Sequence, residues 1–153
     1  SVLLGLMIYE WTRYCGTEIE SGRDMTCDRE DMKQGLEPDL CYWTINQPLV
    51  YGKDEVDFSV DPPPDLALEV DITRSSIPKL PIYEALGVPE VWCWRNGIEV
   101  LALRDGHYAR VSESVVLPGF PLRLAEDFIQ RRNSAGENAL MAQFVAALAN
   151  LPR

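Results

Sequence analysis

The chain has 153 residues, a formal net charge of −10, and 46% hydrophobic residues. One folding unit of this length holds enough apolar side chains for a core, which excludes general disorder. All the excess negative charge falls in residues 1–75, while residues 76–153 are balanced; a broad basic footprint for nucleic acid is excluded, and a phosphate substrate needs a metal or a local group of bases.

Leu4, Ile8, Trp11 and Cys15 recur at helical spacing and predict an amphipathic helix ending near Gly16. Thr17–Glu20 is a possible short strand, and residues 21–37 are polar and acidic. Pro38-Asp39 opens a strand over Leu40–Thr44. Residues 46–64, with Pro48, Gly52 and the run Pro62-Pro63-Pro64, predict a surface excursion, because such prolines neither continue a helix nor pair inside a sheet. Asp65–Ile72 alternates strictly and predicts a strand with Leu66, Leu68, Val70 and Ile72 on one face and Asp65, Ala67, Glu69 and Asp71 on the other.

A helix is expected from about Ile77 to Leu86, stopped by Gly87, with Pro78 and Pro81 tolerated in its first turn. Glu90–Arg95 and Ile98–Leu103 form a hairpin about Asn96-Gly97, and Asp105-Gly106 turns the chain into Tyr108–Ser112. Helices over Leu124–Arg132 and Glu137–Leu151 close the chain. The order predicts an α/β fold with a mixed sheet, an antiparallel β-meander extension and C-terminal helices, as a single domain over residues 1–153. The chain starts without Met inside an apolar stretch, so a missing N-terminal piece is expected.

The one histidine, His107, excludes zinc sites built on two or three imidazoles and reads as an exposed loop-edge residue. Cys15, Cys27, Cys41 and Cys93 show no C-x-x-C spacing and read as reduced thiols of a cytoplasmic protein. The apolar start is too short to span a bilayer, so no membrane association is expected.

Candidate chemistry lies in Asp39, Glu69, Asp71 and Lys79. If the two strands are neighbours, three carboxylates converge, and their mutual repulsion is relieved by a hard divalent cation such as Mg²⁺. The same spacing also describes a solvated face of a half-exposed sheet, which on spacing alone is the commoner arrangement. Asp65, after Pro64, reads as structural. Lys79 sits in a first helical turn, where the helix dipole disfavours a cation; it fits either a lysine meeting water or phosphate, or a surface lysine with its stem over the strand.

The stretches Pro64–Val70 and Lys79–Trp92, with Glu37–Leu40, Gly106–Tyr108 and Leu117–Phe120, resemble the Uma2 family, described as restriction endonucleases. The resemblance covers roughly residues 37–130 and implies the PD-(D/E)xK nuclease superfamily, with a restriction-endonuclease-like αβββαβ core. It implies that Asp39 and Glu69 bind Mg²⁺ or Mn²⁺. Asp71 stands where the superfamily carries lysine, and Lys79, on the next helix, is the matching position for that lysine. The implied activity is metal-assisted hydrolysis of DNA, held transiently as substrate; Arg74, Lys79, Arg95, Arg104 and Arg110 are candidates for a basic rim, which an expected homodimer would extend. The resemblance also implies an N-terminal segment with an acidic residue near its start, which is expected to be missing from this sequence. The alternative is a catalytically inactive nuclease-fold binding or assembly module, using Trp92, Trp94, Leu101 and the C-terminal helix as an apolar interface. A metal-free carboxylate-pair sugar hydrolase is a third reading that the resemblance does not support.

Overall fold

Helices cover both faces of the central strand Leu66–Val70, so the strand is not half-exposed: Leu66 to Glu69 are all buried and only Val70 is open to solvent. The computed structural model describes residues 2–22, 38–70 and 79–152. In chain order its elements are α1 (Val2–Cys15), β1 (Glu20–Ser21), β2 (Leu40–Trp43), α2 (Gln47–Val50), β3 (Leu66–Val70), α3 (Lys79–Leu86), β4 (Glu90–Trp94), β5 (Ile98–Arg104), β6 (His107–Val111), α4 (Leu122–Gln130) and α5 (Glu137–Leu148).

The six strands form one sheet in sequential order. Every pairing is antiparallel except β3 with β4, which are parallel and joined through α3. A parallel pair needs such a crossover, whereas antiparallel neighbours need only a turn. This is the expected αβββαβ order, extended by the β5–β6 meander and the two C-terminal helices.

Alternation along the strands divides the core in two. Tyr42, Leu66, Leu68, Trp92 and Val100 face α1, α4 and α5, meeting Met7, Ile8, Phe128 and Phe144. Cys41, Trp43, Ala67, Val91 and Cys93 face the other way, against Ile82, Tyr83 and Leu86 of α3. The small Ala67 on this side lets α3 sit close to the sheet.

Local signals account for the boundaries. After α3, Gly87 adopts φ +77°; its N–H and that of Val88 bond back to the Glu84 and Tyr83 carbonyls at 3.1 Å each. This is a Schellman ending, which a left-handed glycine allows. Asp105 and Gly106 both have positive φ and leave Arg104 opposite His107, a two-residue hairpin turn as expected. The β4–β5 connection differs: Trp94 pairs with Ile98, so residues 95–97 make a three-residue loop in which Asn96 carries the positive φ.

The excursion after β2 is fastened rather than loose. Asp65 is 1% exposed; it accepts the Thr44 and Asn46 N–H groups at 2.8 and 3.0 Å, and the Asn46 side-chain amide at 2.8 Å. Trp43 Nε1 donates to the Pro62 carbonyl at 3.1 Å. Asp65 is therefore the structural carboxylate its position suggests.

Candidate active site

The β2–β3 register sets Leu40 opposite Leu68 and Cys41 opposite Ala67. Asp39 stands in the bend one residue before β2, and Glu69 one residue beyond the Leu40–Leu68 pair on β3. The two residues are close enough that the Asp39 charge acts on the Glu69 carboxyl. Asp39 is exposed, and its Oδ2 accepts the Val70 N–H at 2.7 Å, tying the start of β2 to the end of β3.

Glu69 is enclosed. It is 1% exposed, Lys79 Nζ lies 2.8 Å from its Oε2, and the Tyr83 hydroxyl donates to Oε1 in a short hydrogen bond. Burial pushes the Glu69 carboxyl above its ordinary value; bonds from Lys79 and Tyr83 and the ammonium charge pull it back, while Asp39 adds to the rise. The solvated-face reading of Glu69 does not hold, because α3 covers it. The surface-lysine reading of Lys79 does not hold either, since the side chain is 18% exposed and ends on a buried carboxylate.

The structure thus brings Asp39, Glu69 and Lys79 together. Asp71 and Arg74 lie outside the described residues, as does Cys27. Among the described residues no three His, Cys, Asp or Glu side chains are placed to share an ion. The donor set nonetheless fits a hard divalent cation: two adjacent carboxylates, one facing solvent, are the usual protein share of a Mg²⁺ site, with water and phosphate completing the shell.

Sequence reading missed Tyr83, although its spacing of four from Lys79 on one helix is the signal that could have found it. It also passed over Glu90, fully buried on the opposite sheet face. Glu90 accepts Trp92 Nε1 at 2.6 Å, Ser114 Oγ at 2.5 Å, and the Val115 and Val116 N–H groups at 2.9 and 3.2 Å. Its carboxylate is committed to holding the 114–117 turn.

The basic rim is smaller than expected. Arg95 lies just past the end of β4, two residues beyond Cys93, the register partner of Glu69. Arg110 is paired with Glu99 at 2.7 Å. Arg104 follows Ala102, the partner of Glu90, and so lies towards the opposite end of the sheet, on the order of 15 Å away at ~3.3 Å per residue. His107 is an exposed strand-end residue, 3.7 Å from Glu84. A cleft of about 570 Å³ borders the ends of β3 and β4, lined by Leu4, Leu68, Val70, Trp94, Ile129 and Arg132 among others. Leu68 and Val70 alternate with Glu69 and put most of this cleft on the α1 side, and Glu69 and Cys93 also border it.

The family model Uma2, described as "Putative restriction endonuclease", matches residues 1–129. The chain belongs to the Uma2 family. No curated protein matches it. The six-stranded mixed sheet with helices at both ends of the chain is consistent with a restriction-endonuclease-like fold for this Uma2 member. Among the described residues no helix is long and apolar enough to cross a membrane. The surface expected for a Uma2 assembly module is largely spent within the fold: Trp92 is 1% exposed, Leu101 packs on the α3-side core, and α5 buries Leu140, Phe144 and Leu148.

Proposed function

We propose that this Uma2 chain is a divalent-metal-dependent endonuclease that hydrolyses DNA phosphodiester bonds, with Asp39 and Glu69 as metal ligands and Lys79 as the basic residue of the site. The observation that carries the reading is Asp39, bonded to the Val70 N–H beside Glu69 and acting on its carboxyl, with Lys79 2.8 Å from Glu69. A bound Mg²⁺ or Mn²⁺ would supply charge neutralisation at the phosphate and a more acidic water.

The remaining work falls to the chain. Asp39, on the exposed side, faces incoming phosphate. Lys79 has three N–H donors and spends one on Glu69; another is available to orient the attacking water or meet the charge developing on phosphorus. The water oxygen attacks phosphorus in line, the opposite P–O bond breaks, and the leaving oxygen takes up a proton. One strand end then carries phosphate and the other a hydroxyl. Asp71, in the segment after β3, is assigned as a further acidic group of the site. Arg95 supplies local positive charge, and a homodimer would bring a second such edge to a duplex. The acidic N-terminal half keeps nonspecific DNA affinity low, as suits transient substrate binding.

Supercoiled plasmid incubated with Mg²⁺ or Mn²⁺ tests this reading. Nicking is expected from the wild type and not from Glu69→Ala or Asp39→Ala. Cleavage that persists unchanged in Glu69→Ala refutes the site. The assembly-module alternative predicts no nicking, and no ion binding by calorimetry at millimolar metal.

A further inference from the structure

We propose that Tyr83 is a positioning residue of the metal site, fixing the Glu69 carboxylate in the orientation that receives the ion; this rests on the metal-dependent reading above. Lys79 and Tyr83 stand four residues apart in α3, so their side chains leave the helix on one face. Lys79 bonds Oε2 and Tyr83 bonds Oε1. One helix face therefore grips both oxygens of Glu69, and the plane of the carboxylate is set by α3 rather than by β3 alone.

Tyr83 is itself held rigidly. Its side chain has no exposed surface and packs among Ile82, Leu86, Val88 and Val91. Its carbonyl accepts the Gly87 and Val88 N–H groups at 3.0 and 3.1 Å. A fully buried phenol cannot touch a DNA strand, so its influence runs through Glu69.

The two donors differ in charge, and this separates their roles. The ammonium of Lys79 opposes a cation arriving at Glu69. The neutral hydroxyl of Tyr83 directs one oxygen without adding charge, and each carboxylate oxygen keeps a further lone pair for a ligand. Partners that orient a ligating carboxylate in this way typically contribute about 10–100-fold in metal affinity.

Mn²⁺ affinity, read by electron paramagnetic resonance or calorimetry, tests the proposal in wild type, Tyr83→Phe and Tyr108→Phe. Tyr108 is the matched control: its hydroxyl donates to the Val88 carbonyl at 2.7 Å on the same side of the sheet, away from Glu69. Tyr83→Phe is expected to weaken Mn²⁺ binding about tenfold or more. Tyr108→Phe should stay within about twofold, as expected for independent sites. If Tyr83→Phe binds Mn²⁺ as tightly as wild type, the positioning role is overturned and the metal site stands. If wild type binds no Mn²⁺, both fall. Should Tyr83→Phe fail to fold, the wild type decides: saturating Mn²⁺ must perturb its near-ultraviolet tyrosine spectrum, and a silent spectrum overturns the role.

Discussion

Lys79 Nζ lies 2.8 Å from Glu69 Oε2, joining α3 to a carboxylate whose side chain has no solvent exposure. Removing one partner of a buried ion pair leaves an uncompensated charge, at a cost of about 3–5 kcal/mol. Lys79→Met should therefore lose about 3 kcal/mol of stability in EDTA. Mn²⁺ should return a good part of it, because the ion can take over the neutralisation of Glu69. Urea titrations with and without Mn²⁺ check this; an equal response in wild type and variant counts against ammonium and ion sharing that carboxylate.

Glu69 also predicts a pH dependence. Its folded-state value is raised from 4.5 by burial. A group raised on folding favours the folded state below its unfolded value, and that contribution is lost as pH climbs through the folded value. In EDTA, the difference in urea midpoint between Glu69→Gln and wild type should shift in favour of the variant from about pH 4 to about pH 8. A difference that stays flat across that range contradicts the assignment.

Glu90 is as buried as Glu69 but has another task. Glu90→Ala strands the donors of Trp92, Ser114, Val115 and Val116. At about 1–3 kcal/mol per orphaned buried group, softened by rearrangement, a loss of about 3 kcal/mol or more is expected. Metal affinity per folded molecule should be unchanged. A large loss of Mn²⁺ binding in a folded Glu90→Ala protein speaks against the division between the two carboxylates.

The thiols supply a test of packing. Burial pushes Cys41 up to about 12 and Cys93 to about 11, and both are almost inaccessible. Only the thiolate reacts. In a Cys27→Ser background at pH near 8, native labelling with a disulfide reagent should report one thiol, Cys15, the exposed one, and urea should release the other two. Rapid reaction of Cys93 in the native state indicates that the sheet beside Glu69 opens.

Periodicity and turn chemistry made most elements readable. The helical stripe through Leu4, Ile8 and Trp11, the alternation of 65–70, and the Asp105-Gly106 turn each depend on residues close in sequence. The three-residue loop at 95–97 was not readable in length, because cross-strand pairing of Trp94 with Ile98 sets it. Asp39, Glu69 and Lys79 stood out because carboxylates on adjoining strands and a lysine in a first helical turn run against ordinary preferences. The family resemblance then gave them roles to test.

By itself, the sequence determined the α/β order, the strand that carries Glu69 and the helix that carries Lys79. Only the tertiary structure decided that Glu69 is enclosed, since a polar position on an alternating strand faces water unless another element covers it. Ala67, together with Ile82, Tyr83 and Leu86, brings α3 onto that face. The same packing sets Tyr83 on Glu69 and turns Glu90 to the opposite side of the sheet. Two glutamates alike in the sequence thus part company because burial and partner geometry are properties of neighbours brought together by folding, which no local pattern contains.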